Sequence, residues 1–164
     1  MNWQEVCADS SLQELAYKIE LNEWGQIVMS PATNKHGSFQ VKISIYLSQL
    51  LPDGELITEC SIQTRKGVKV ADVAWASDEF METHGTYGGD KELQEAPEIC
   101  VEILSPSNTP EQMEEKKTLY LDQGAKEFWL CEGNGNMNFY STAGKLVNSQ
   151  LVPDFPHHIK IKWQ

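Results

Sequence analysis

The segment Ile99-Cys100-Val101-Glu102-Ile103-Leu104 constrains this chain more than any other. Near-continuous apolar runs of strand length belong to strands covered on both faces, whereas a strand with one wet face alternates. Such a strand needs a layer above it and a layer below. A helix start follows at once. Ser105-Pro106-Ser107-Asn108 interrupts the run, Thr109 fits the N-cap, Pro110 the first helical position and Gln112 the capping-box position. The helix is predicted to end before Gly124.

The rest of the chain supplies the layers. Residues 126–131, 137–141 and 145–150 read as strands, with a hairpin turn at Asn134-Gly135. Strands are predicted near 55–63 and 68–76. From Gly37 to Leu51 the apolar set reads as a helix closed by Pro52-Asp53-Gly54, despite its β-branched residues. Residues 19–22 and 26–29 read as a hairpin around Trp24-Gly25, residues 11–18 as a short helix, and residues 83–96, with Gly85, Gly88 and Gly89, as a long loop. The expected class is α/β of the mixed α+β kind, a central mixed sheet flanked by helices. One domain is expected over residues 1–164.

Charge narrows the function. With 13 basic and 24 acidic residues in 164, the formal charge is −11, and Arg65 is the sole arginine. Constitutive nucleic-acid coats are basic, because counterion release from phosphates drives their binding. An acidic enzyme can still work on DNA if its positive charge is local and a metal supplies the remainder. No apolar run approaches the roughly 18 residues of a membrane span. Met1-Asn2-Trp3-Gln4-Glu5 lacks a basic-then-apolar pattern, and the four cysteines are isolated. The expectation is therefore no membrane and a reducing, cytoplasmic setting.

The informative residues are charges where a strand wants hydrophobes. Asp72 lies inside Val68-Lys69-Val70-Ala71-Asp72-Val73-Ala74-Trp75, and Glu102 inside the apolar run. Buried acids are rare unless they are paired, hydrogen-bonded or bound to metal. The plain alternative is an exposed or ion-paired strand residue. On the helix, Met113, Lys116, Lys117, Tyr120 and Leu121 share one stripe, so a lysine lies on or beside the apolar face. Its plain alternative is a stem covering the core edge with the ammonium in water. The helix follows the Glu102 strand through a short link, which brings a lysine within reach of Glu102. Two carboxylates are the ligands hard Mg²⁺ prefers, with water and phosphate completing the shell. A lysine beside them can orient the attacking water and stabilise charge on phosphoryl oxygens.

Asp72 followed by Glu102 in an apolar strand resembles the core of the PD-(D/E)XK nuclease superfamily. More closely, Val101-Glu102-Ile103-Leu104-Ser105-Pro106-Ser107, then Glu115-Lys116-Lys117-Thr118-Leu119-Tyr120 and Lys126-Glu127-Phe128-Trp129-Leu130, resemble the Uma-two restriction-endonuclease family. Ile19-Glu20-Leu21, Ile27-Val28-Met29-Ser30-Pro31 and His36-Gly37 fit that family's opening, so the likeness runs from about residue 19 to 131. The resemblance implies a restriction-endonuclease-like fold and Mg²⁺- or Mn²⁺-dependent cleavage of DNA, commonly by a homodimer. It implies Asp72 and Glu102 as metal ligands, Lys116 as the catalytic lysine on the helix and Glu20 as an auxiliary acid. His36 is a candidate for touching phosphate, and Lys117, one residue off the register that Lys116 matches, is a second substrate-binding candidate. Two departures stand out. Ala71 precedes Asp72 where the superfamily name has proline, and Gln112 stands where relatives often carry an acid.

Other signals carry little. There is no HExxH, cysteine–histidine cluster, phosphate-binding GxxxxGK loop or GxSxG turn. His157-His158 lie in the tail without neighbouring ligands. Arg65, Lys66 and Lys69 form a local basic patch on a hairpin, able to meet a DNA backbone or simply to sit in solvent. The rival reading is a family member without activity that binds a partner or regulates. A two-carboxylate glycosidase leaves the lysine without a task.

Overall fold

The structure, a computed structural model, describes residues 1–85 and 89–163. Gly88 of the expected loop lies outside the described residues. The chain runs α1 (Trp3–Ala8), α2 (Ser10–Gln13), β1 (Tyr17–Leu21), β2 (Ile27–Pro31), α3 (Asn34–Leu50), β3 (Glu55–Thr64), β4 (Gly67–Ala76), α4 (Asp78–His84), β5 (Ile99–Ile103), α5 (Pro110–Asp122), β6 (Glu127–Cys131), β7 (Met137–Ser141) and β8 (Gly144–Leu146). Strands β3 to β8 form one six-stranded sheet in sequence order, and β1–β2 is a separate hairpin. All neighbours are antiparallel except β5 and β6, which α5 joins as a parallel pair. This is the expected mixed sheet between helices.

Strand β5 is covered on both faces, and all five of its residues are buried. On one face Phe39, Ile43 and Leu47 of α3, one turn apart, pack on Val73, Ile99, Val101 and Trp129. Each such buried side chain stabilises by about 2 kcal/mol. On the other face Tyr120 of α5 packs with Cys100, Ala74 and Phe128. The alternating apolar residues Val41 and Ile45 of α3 are exposed, so only the helical stripe is buried. The start of α5 is as expected: Thr109 and Gln112 form a reciprocal capping box around Pro110. The Asn134-Gly135 turn closes between β6 and β7, with Gly135 at a φ of 93°. A Cβ there would strike the Ile159 carbonyl.

Three expectations need correction. The helix expected at residues 11–18 is cut short: α2 ends at Gln13, its start set by Asp9 accepting from the Ser11 N–H, and α1 precedes it, set by the Asn2–Glu5 capping box. Tyr17 and Lys18 belong instead to β1. The strand at residues 145–150 stops at Leu146, because the buried Glu127 carboxylate takes the Ser149 hydroxyl and the Gln150 and Leu151 N–H groups. Within the expected loop, Thr83 and His84 end α4, whose cap Ser77 accepts from the Phe80 N–H. Leu93 then bonds to Ser61 and Gln63 on the edge of β3.

Candidate active site

The sheet opens where Asp72 stands. Pairing of β4 with β5 is continuous from Trp75–Ile99 to Val73–Val101 and goes no further. Pairing with β3 skips the Glu59–Asp72 position, where Glu59 has a φ of 53°. A left-handed backbone is uncommon for a residue other than glycine. The groups released by this gap are satisfied from elsewhere. The Asp72 carbonyl accepts from Gln40 Nε2 on α3 at 2.7 Å, and Asp72 Oδ2 accepts from the Ile103 N–H at 2.7 Å. Buried backbone groups must find such partners.

Around this opening lies a cleft of about 560 Å³ bordered by the β1–β2 hairpin, β4, the end of β5 and the first turns of α5. Asp72, Glu102, Lys116, Glu20 and His36 all border it, and so do Lys18 and Lys69. Lys116 Nζ donates to Glu20 Oε2 at 2.8 Å and to Glu102 Oε1 at 3.1 Å. Tyr120 Oη donates to the same Glu102 oxygen at 2.9 Å. Glu20 Oε2 also accepts from the Val70 N–H. His36 Nε2 lies 3.1 Å from Asp72 Oδ1. The lysine of α5 thus folds back over the strand end, and the residues singled out from the sequence meet, apart from Lys117. Lys117, one residue and about 100° further round the helix, pairs with Glu114 and lies over the Tyr140 ring. It does not border the cleft. Arg65 and Lys66 are also directed elsewhere, to Asp122 and Glu115.

Lys18 is the residue the sequence reading missed. Its ammonium sits between the two acids, 3.0 Å from Asp72 Oδ1 and 2.9 Å from Glu102 Oε2. The available signal was the alternation of Tyr17-Lys18-Ile19-Glu20-Leu21, which puts Lys18 and Glu20 on one face of a strand. Placed at the end of a helix, Lys18 loses that meaning. Tyr120, read only as part of an apolar stripe, also carries a polar role through its hydroxyl.

Burial and charge compete at every group here. Burial opposes the charge of Lys18, but Glu102, Asp72 and Glu20 around it hold the ammonium protonated well above the lysine range. Burial acts on Asp72 too, yet Lys18 and His36 hold its carboxyl far below the usual range. Glu102 is the exception: complete burial pushes it up to about 7, against the pull of Lys116 and Lys18. The Asp72 hydrogen bond raises His36. Burial, then Glu102, push the Tyr120 phenol well above its normal range. Strongly perturbed groups gathered in a cleft are a mark of chemistry.

The donor set also bears on metals. Among the described residues no three His, Cys, Asp or Glu side chains converge as a ready-made metal cage. A Mg²⁺ ion does not need one, since it is held by one or two carboxylates with water and phosphate in the remaining positions. Asp72 and Glu102 direct one oxygen each at a common cation, here the Lys18 ammonium. That is a fitting donor pair for a hard divalent ion.

The sequence model of the Uma2 family, described as "Putative restriction endonuclease", matches residues 7–150. The chain belongs to the Uma2 family. A crystal structure from Anabaena variabilis ATCC 29413, described as "a putative nuclease belonging to DUF820", superposes with a TM-score of 0.61 at 17 % identity, covering 75 % of this chain and 71 % of that one. The shared feature at that identity is the fold. No curated protein matches the chain. The Uma2 match extends beyond residues 19 to 131 at both ends and includes every acid, lysine and histidine of the cleft. Among the described residues no helix of this Uma2 protein is long and apolar enough to cross a membrane.

Proposed function

We propose that this Uma2 protein is a divalent-metal-dependent nuclease that hydrolyses phosphodiester bonds of DNA. The observation that carries the reading is the single cation position shared by Asp72 and Glu102 in an open cleft, with a second ammonium, Lys116, beside it. Asp72 and Glu102 would hold Mg²⁺ or Mn²⁺. When bound, such an ion lowers the pKa of coordinated water and polarises the phosphate. Lys116, tethered by Glu20 and Glu102, orients the attacking water and balances charge on the phosphoryl oxygens. Glu20 keeps that lysine over the site and serves as the auxiliary acid. His36, at the start of α3, steadies Asp72 and meets the phosphate. A homodimer would bring two such clefts to the two strands of a duplex, and light scattering tests it: a monomeric mass removes that part.

The test is nicking of supercoiled plasmid with Mg²⁺ or Mn²⁺ by wild type, Glu102→Ala and Lys116→Ala. Cleavage by wild type alone supports the assignment; equal cleavage by all three removes it. A second reading has one observation in its favour. Every oxygen of Asp72 and Glu102 already accepts a hydrogen bond from the protein. A site saturated in this way suits a member that binds or regulates without cleaving. Calorimetry separates the two, because only the nuclease needs Mg²⁺ or Mn²⁺ binding that depends on Asp72 and Glu102.

A further inference from the structure

Lys18 has no part in the scheme above, yet it is the residue that touches both proposed metal ligands. Its ammonium takes Asp72 Oδ1 and Glu102 Oε2 at 3.0 and 2.9 Å, and its side chain is 13 % exposed. It comes from β1, which belongs to the two-stranded hairpin and not to the main sheet. We infer that Lys18 is a positioning residue of the metal site: its ammonium holds the two carboxylates together in the metal-free protein, and a divalent ion gains the site by displacing it. This rests on the nuclease reading and adds a competitor to it.

Two carboxylates facing one small space repel each other and need a cation between them. A lysine on a flexible four-carbon stem supplies a compact charge that can leave again, whereas an arginine would grip both acids through its planar fork. The cleft at the hairpin gives the stem room, since Tyr17, Val28 and Met29 beside it border the same cavity. Charge then couples metal to substrate. Glu20, Asp72 and Glu102 share the cluster with the Lys18 and Lys116 ammoniums, which offset most of their charge. A divalent ion adds positive charge where a phosphodiester would sit, and the displaced Lys18 stays on the cleft wall as a further positive charge.

The experiment measures metal binding and not turnover. Mn²⁺ is titrated by calorimetry into wild type, Lys18→Met and Lys18→Arg, and melting curves are recorded with and without Mn²⁺. Removing a competitor held by two charge-assisted hydrogen bonds makes Lys18→Met bind Mn²⁺ about tenfold or more tightly than wild type. Its melting temperature rises more on adding Mn²⁺ than that of wild type. Lys18→Arg binds more weakly than wild type. A purely structural lysine gives the opposite sign, because its loss loosens the site. Equal or weaker binding by a folded Lys18→Met overturns the inference. If Lys18→Met folds only with Mn²⁺, the inference stands; if it folds in neither condition, wild-type affinity in Lys18→Arg overturns it. Binding by wild type without an effect of either substitution removes only the role of Lys18. No Mn²⁺ binding by any of the three proteins removes the metal-dependent reading as well.

Discussion

Two buried glutamates stand on neighbouring parallel strands, Glu102 on β5 and Glu127 on β6, and their surroundings differ in kind. Glu127 accepts from Trp129 Nε1, Ser149 Oγ and the Gln150 and Leu151 N–H groups. All four donors are neutral and fixed in the scaffold, and their task is to hold the C-terminal segment against the sheet. Glu102 accepts from Lys18, Lys116 and Tyr120, side chains from a hairpin and a helix, at the floor of a cleft. A buried acid is therefore not in itself a sign of chemistry. What distinguishes Glu102 is that two of its three partners, Lys18 and Lys116, are charged side chains lining a cleft.

Like substitutions test that contrast. Glu102→Gln removes a proposed metal ligand, and even supporting residues of metal sites cost 10- to 100-fold when lost. Plasmid cleavage is expected to fall about 100-fold or more while the melting temperature stays within about 3 °C, because the carboxyl already resists ionisation in its buried site. Glu127→Gln puts amide hydrogens against donors that had an acceptor. A loss of about 2–3 kcal/mol is expected, roughly 5–10 °C in melting temperature, with Mn²⁺ affinity of the folded protein unchanged. A large activity loss without unfolding in Glu127→Gln would break the comparison.

The next effect depends on pH. Glu102 is pushed up to about 7, against about 4.3 for an unfolded glutamate. The folded state keeps a proton that the unfolded state releases, so this group lowers stability progressively as pH rises from about 4.3 to about 7. His36 is also raised, through Asp72. Its contribution is complete below about 6.5 and is lost as pH rises through the folded value. Metal-free wild type is expected to lose several degrees of melting temperature across this range, and Glu102→Gln to show a flatter curve. A parallel pair of curves counts against the buried-acid account. The smallest effect belongs to the surface: Arg65→Ala or Lys66→Ala breaks an exposed ion pair with Asp122 or Glu115. About 0.5 kcal/mol or less is expected, with no change in metal affinity.

The legible parts of this protein are those fixed by local physics. The apolar run of β5, the capping box of α5, the turn at Asn134-Gly135 and the acids misplaced among hydrophobes all announce themselves over a few residues. Asp72, Glu102 and Lys116 could be grouped because one strand–helix link joins two of them and a familiar spacing supplies the third. Lys18 was lost for want of two residues of strand at the start of β1, where an apolar spacing suited either period. The end of β8 was invisible for another reason. The donors that divert it answer to Glu127, some twenty residues earlier, and no local pattern announces a partner that distant. Lys117 shows the reverse limit: a helical register narrows the choice to two adjacent lysines, and packing decides between them.

The Asp72 side chain divides its oxygens between two duties. Oδ2 takes the Ile103 amide and so rivets β4 to the strand that carries Glu102, at the point where their own ladder has ended. Oδ1 faces into the cleft, toward the Lys18 ammonium and the His36 ring. The gap between the two acids is therefore gauged by a side-chain bond inside the cleft, in the place of the ladder bonds that have stopped.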